Sequence, residues 1–223
     1  MNKLFDEAIC LCLDKRQAEW TQLAEDFEKR FGQPMQKCIA GAGEIFPKEY
    51  YNHIDVKPEQ VDLRYWGYGR ADLKIHHYNA FLCHKKMLTY AKQKGLKRVL
   101  FLEDDSYFTD RYEKVINLLP KIDFNLLYLG WWIGATNPDI EEAYKTIGQC
   151  GIANVDTLGG LHGVIIDETM YDYMLTLPPI NPIDSQLNLI HSRIQSYYVY
   201  PKLIHVKSIF SNCEQCTIER EHL

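Results

Sequence analysis

Arg98-Val99-Leu100-Phe101-Leu102 runs without a break into three acids, Glu103-Asp104-Asp105. A segment so dense in apolar side chains reads as a strand covered on both faces. Three like charges in succession repel one another, so placing them at a strand's end is costly unless a cation or solvent neutralises them. In open α/β sheets, ligand sites lie beyond the carboxyl ends of the strands. Carboxylate oxygens are hard ligands suited to magnesium or manganese, which take one or two protein carboxylates and leave room for substrate phosphates. A solvated acidic turn is the alternative reading of the same residues. A phosphate-accepting receiver fold expects its acidic pair after the first strand, where this chain has Asp14-Lys15. The glycine fingerprints of dinucleotide-binding and P-loop folds are missing from the sequence.

The rest of the chain alternates short apolar runs with amphipathic segments, the pattern of an α/β domain. Ala8 to Leu13 reads as a buried first strand. A helix from about Lys15 places Trp20, Leu23, Phe27 and Phe31 on one face, and Gly32 and Pro34 stop it. Asp72 is placed to cap a second helix, which carries Ile75, Tyr78, Phe81, Leu82, Met87, Leu88 and Ala91 and ends at Gly95. Further helices are predicted over 109–119, 139–147, 167–175 and 184–190. Further strands are predicted over 126–129, 161–166, 197–200 and 203–206. The stretch 35–71 contains Gly41-Ala42-Gly43 and the aromatic-glycine segment 64–70. It reads either as a lid over a ligand or as a surface loop packed by its own aromatics.

With 223 residues and no break in composition, one domain is expected, and a 46% hydrophobic share is that of a globular chain. A net charge of −5 argues against a nucleic-acid partner, which calls for a basic surplus. The apolar run after the polar N-terminus is too short for a signal-peptide core or a transmembrane segment. A cytoplasmic protein is the simplest expectation, with work at a membrane surface left open through a partner. The 7 cysteines, odd in number and scattered, point to reduced thiols, and Cys213-x-x-Cys216 lacks the second pair that a structural zinc site needs.

Four segments resemble glycosyltransferase family 25, which includes lipooligosaccharide galactosyltransferases and collagen galactosyltransferase domains. Leu11-Cys12-Leu13-Asp14-Lys15-Arg16 is similar to the family's first strand and basic turn. Asn79-Ala80-Phe81-Leu82-Cys83-His84 resembles its "GCxLSH" helix, with Cys83 in place of Ser and without the leading GC. Val99 to Asp105 is similar to its strand-EDD signature, and Leu126 to Gly130 to its "DLIYLG" strand. Pro182-Ile183-Asp184 is a weaker echo of its "PVD".

The resemblance implies a GT-A-type, Rossmann-like α/β fold with a mostly parallel central sheet. It also implies a nucleoside-diphosphate sugar donor, a divalent cation (manganese, or magnesium), inversion at the anomeric carbon, and a glycan, lipid-linked glycan or glycoprotein acceptor. On that basis Asp105 is the principal metal ligand, and Asp104 or Glu103 contacts the metal or the donor ribose. Late in the chain His205 is a further metal ligand, or else a packing residue. Asp14 and Arg16 line the nucleotide site; alternatively Asp14 caps the following helix and Arg16 is solvated. Asp184 is the general base for the acceptor hydroxyl, or a helix N-cap after Pro182. One ring of Trp131-Trp132 stacks on a sugar while the other enters the core, because neighbouring strand residues point to opposite sides; alternatively both pack in the core or at the surface. Gly160 and Gly163 would let the backbone around His162 approach a sugar. A non-catalytic sugar-nucleotide or glycan-binding module and a metal-dependent phosphohydrolase are the competing functions.

Overall fold

The computed structural model describes residues 4–40, 74–112, 123–132, 151–154, 158–178, 181–207, 210–211 and 216–217. The expectations for 41–73, for the Asp72 cap, for 113–119, for 133–150 and for Cys213 lie outside the described residues.

The first strand, β1 (Glu7–Leu13), is followed by α1 (Gln17–Phe31) and β2 (Gln36–Ala40). Next come α2 (Lys74–Lys94), β3 (Arg98–Glu103) and the short β4 (Ser106–Phe108). Then follow β5 (Leu126–Tyr128), β6 (Gly151–Asn154) and β7 (Gly163–Asp167). A 3-10 turn leads into α3 (Tyr171–Thr176), and α4 (Ile183–Leu187) precedes β8 (Ser196–Tyr200) and β9 (Ile204–Val206). The short strands β10 (Phe210–Ser211) and β11 (Cys216–Thr217) pair with each other.

Seven strands make one sheet in the order β2-β1-β3-β7-β5-β8-β6. β2, β1, β3, β5 and β8 point one way, and β7 and β6 run against them. The fold is thus α/β, as the alternating pattern predicts, and the sheet is mixed but mostly parallel, as the resemblance implies. Among the described residues no helix is long and apolar enough to cross a membrane.

The interior strands carry apolar side chains on both faces because both faces are covered. On one face Leu23 and Phe27 of α1 pack with Ala8, Cys10, Leu100, Leu102 and Ile165. On the other, Phe81, Met87 and Leu88 of α2 pack with Ile9, Phe101, Val164 and Ile166. α1 ends as expected at Gly32, whose φ of 65° is left-handed and whose N–H donates to the Glu28 carbonyl at 2.8 Å. Gly95, at φ 69°, does the same for α2. Among the described residues Cys10, Cys12, Cys38 and Cys83 are free and buried.

The strand directions place the site. The carboxyl ends of β1, β3, β5 and β8 share one edge of the sheet with the amino ends of the reversed β7 and β6. That edge gathers 14–16, 103–105, 130–132 and 159–162.

Candidate active site

The turn after β1 and the turn after β3 meet because those strands pair in parallel, with Leu11 opposite Glu103. Asp104 continues that pairing by donating its N–H to the Leu11 carbonyl at 3.0 Å. Its side chain then turns back under β1. One carboxylate oxygen accepts the Leu13 N–H at 2.8 Å, and the other accepts from Arg16 Nη1 at 2.7 Å. Both partners are withdrawn from water, Asp104 at 3% exposure and Arg16 at 9%. Burial is the largest influence on Asp104 and pushes its acidity down, raising the pKa, while the Arg16 guanidinium and the Leu13 N–H pull the other way.

Arg16 is thus not the solvated residue of the alternative reading. It also stands at the N-cap position of α1, with no side-chain cap bond, so Asp14 is not the helix cap. Asp14 is exposed, and its carbonyl accepts from Gln17 Nε2 at 2.7 Å.

Asp105 is buried at the mouth of this pair, its Oδ2 4.0 Å from Arg16 Nη1. Its carbonyl accepts the Lys207 N–H at 2.8 Å, which starts the antiparallel ribbon of β4 with β9. In that ribbon Tyr107 lies opposite His205. The His205 ring stacks on Tyr107 at 5.7 Å, and burial, then Lys202, holds its pKa below the ordinary value. Glu103, half-buried, has His84 Nε2 3.8 Å from its Oε1. Burial drops the His84 pKa to about 4, so at neutral pH the imidazole is uncharged and the contact is not an ion pair.

A second group of side chains converges on Gly159-Gly160. Trp132 and Gly159 exchange both backbone hydrogen bonds, at 2.9 and 3.0 Å. The Gly160 N–H donates to Asp184 Oδ2 at 2.8 Å, and Asp184 Oδ1 accepts the Ser185 N–H at 2.9 Å. Pro182, not Asp184, is the N-cap of α4, so the capping alternative for Asp184 does not hold. The Trp132 ring lies against the buried His162 at 4.4 Å.

Alternation separates the two tryptophans as expected. Trp131 enters the core and donates its indole N–H to the Val199 carbonyl at 3.1 Å, while Trp132 stays half-buried at the site.

The glycines here serve a different end from the one predicted. At Gly160, with φ +88°, a Cβ would collide with Trp132 Nε1 and come within 2.5 Å of His162 Nδ1. At Gly163 a Cβ would lie 2.8 Å from the Gly130 nitrogen. The room they leave is taken up by the protein's own tryptophan, histidine and backbone. In the sequence, the glycines flanking His162 were the only sign of this close packing.

The two groups are linked by Ser106, whose hydroxyl donates to the His162 carbonyl at 2.9 Å and accepts the Glu103 N–H at 3.2 Å. Sequence reasoning missed this serine, because nothing in an EDDS string says where its hydroxyl points. Among the described residues no three His, Cys, Asp or Glu side chains form a group that could hold a metal ion.

No protein-family model matches the chain. No curated protein matches it. Among solved structures it is similar to the crystal structure of A197 from STIV, with 10% identity over 98% of this chain and 96% of that one, at a TM-score of 0.44. It is also similar to the crystal structure of a glycosyltransferase involved in the glycosylation of the major capsid of PBCV-1. There the identity is 11%, the coverage 76% of this chain and 64% of that one, and the TM-score 0.37. Neither likeness is strong enough to assign the chain. The resemblance to family 25 rests on its short sequence segments.

Proposed function

We propose that the chain is a glycosyltransferase that moves a hexose from a nucleoside-diphosphate sugar to a hydroxyl of a glycan, a lipid-linked glycan or a glycoprotein. The observation that carries this reading is the convergence at one sheet edge. The buried Arg16–Asp104 pair and Asp105 are joined through Ser106 to the Trp132–His162–Asp184 group. One half suits a diphosphate and the other a sugar hydroxyl.

Manganese or magnesium fits the donor set of the first half only as an ion shared with substrate. Asp104 is buried and already faces the Arg16 cation at 2.7 Å, which leaves Asp105, with Glu103 beside it, as the carboxylates for a hard cation. Such an ion would complete its shell from water and the diphosphate. When bound, it would act as a Lewis acid toward the charge building on the leaving diphosphate. Asp104 is then a positioning residue that fixes Arg16. The Arg16 guanidinium is a planar fork of donors, a geometry suited to phosphate. His205 stands on the neighbouring strand of the ribbon, stacked on Tyr107, and forms no three-residue ligand group with the acids.

Asp184 is the general base. Each of its oxygens accepts one backbone N–H and keeps capacity for a second bond, enough to take the proton of an acceptor hydroxyl. Inversion by single displacement puts that base on the side away from the leaving group. The half-buried face of Trp132 next to it offers a flat apolar surface for a sugar ring.

The test is release of nucleoside diphosphate from a panel of nucleotide hexoses, with manganese, in the presence of glycan acceptors. Wild type should release it. Asp105→Asn and Asp184→Ala should each lower the rate on the order of 100-fold or more while keeping the melting temperature. Binding of a donor without turnover in wild type would favour the non-catalytic module. Unchanged rates in both variants would remove these residues from the site.

A further inference from the structure

The pairing of β3 with β7 ends where the acidic turn begins, and the way it ends has a consequence for the reaction. The last paired residues are Leu102 and Gly163, so Glu103 would next stand opposite His162. Along β3 successive N–H groups alternate in direction. The Asp104 N–H points to β1, where it meets the Leu11 carbonyl. The Glu103 N–H therefore points toward β7, at the place where an unbroken ladder would give it the His162 carbonyl. It meets the Ser106 hydroxyl instead, at 3.2 Å, and that hydroxyl passes its own proton to the His162 carbonyl at 2.9 Å. Ser106 is 1% exposed, so water does not compete for either bond.

We infer that Ser106 is a positioning residue for the proposed transfer: its hydroxyl, inserted into the β3–β7 ladder, sets the separation of the Asp105 turn from the His162–Trp132 group. The inference rests on the glycosyltransferase reading for its catalytic consequence, but not for its structural content. A serine hydroxyl does what a ladder bond cannot. It lets the two strands part by one oxygen atom while both backbone groups stay satisfied. The parting frees the acidic turn to leave the sheet. The two hydrogen bonds keep that turn in register with the backbone carrying His162, against which Trp132 packs and beside which Gly160 holds Asp184.

If the hydroxyl is removed, the Glu103 N–H and the His162 carbonyl must either close on each other or lose their partners. Either change shifts one half of the site against the other. A misplacement of about 1 Å between reacting groups costs on the order of 100-fold in rate.

The experiment compares wild type with Ser106→Ala and Ser106→Thr in the full chain. In nitrogen-15 spectra, Ser106→Ala should move both the Glu103 amide and the Trp132 indole resonance, and Ser106→Thr should return both toward wild type. Displacement of the Glu103 amide with the Trp132 indole unmoved would overturn the inference. Should the alanine variant fail to fold, Ser106→Cys, a weaker donor at the same place, takes its part with the same two resonances.

In the transfer assay, Ser106→Ala should lower transfer to a glycan on the order of 100-fold. Donor affinity and donor hydrolysis by water should stay within a few-fold of wild type. Equal losses in hydrolysis and transfer would also overturn it. If wild type transfers nothing while the two resonances move together, the glycosyltransferase reading falls and only the structural link made by Ser106 between the Glu103 and His162 backbones stands.

Discussion

Arg16, Asp104 and Asp105 sit at the ends of two strands that pair in parallel, whereas Trp132, His162 and Asp184 come from three separate connections. The first group is held by charge and by a buried ion pair with both acceptor oxygens in use. The second is held by close packing around glycines, with backbone hydrogen bonds and ring contacts. The contrast suits the two tasks assigned to them. A diphosphate is recognised by fixed charge, and an acceptor sugar by shape and a single polar contact. It also means that the halves should fail differently when broken.

Asp104→Ala should cause the largest loss. It takes from the buried Arg16 guanidinium its 2.7 Å partner, leaving Asp105 at 4.0 Å, and removes the Leu13 N–H partner; breaking a buried pair this way costs about 3–5 kcal/mol. Denaturant unfolding measures it; a loss under 1 kcal/mol would show that the first half is not organised by this pair. Gly160→Ala attacks the second half and should cost about 1–3 kcal/mol, because a Cβ there meets Trp132 and His162 at a φ of +88°. Calorimetric melting checks the stability. Acceptor affinity should fall while donor affinity holds, and a fall in both would erase the distinction between the halves.

A smaller effect comes from acid. His84, under Glu103, is kept neutral in the folded chain, with a pKa of about 4 against 6.5 for the free side chain. The unfolded chain therefore takes up the proton first as pH falls. Stability from this neutral ring is complete above about pH 6.5 and drains away toward pH 4, at up to about 1.4 kcal/mol per pH unit. His84→Asn should flatten that part of the stability–pH curve; an unchanged slope would place the acid sensitivity elsewhere. The smallest effect belongs to Asp14→Ala. Asp14 is exposed, so the melting temperature should stay put, within about 0.5 kcal/mol, and any change should be confined to donor binding.

What the sequence made legible follows the same division. Interior strands announce themselves because burial on both faces demands apolar runs, as in Val99 to Leu102 and Val164 to Ile166. The edge strand β2 lacks that demand. β2 has Gln36, Lys37 and an exposed Ile39, so it reads as loop. The ribbon strand β4 is masked by the acids that precede it. The acidic turn could be read because its residues are contiguous. The burial of Arg16 could not, since Asp14 and Lys15 beside it are exposed and only the parallel pairing of β1 with β3 turns Arg16 inward. Asp184 read as a helix cap slightly more readily than as a base. Pro182 at the N-cap removes the first reading, and the bond from Gly160, 24 residues away in the chain, has no local signature.

The measurement that bears most directly on the central claim is a calorimetric titration of the full chain with nucleoside diphosphates, with and without manganese, repeated on Asp105→Asn. Wild type should bind one nucleotide class, more tightly with manganese, and the variant should lose that dependence while both proteins melt alike. Binding of no nucleotide, or a manganese dependence that survives in Asp105→Asn, would contradict it.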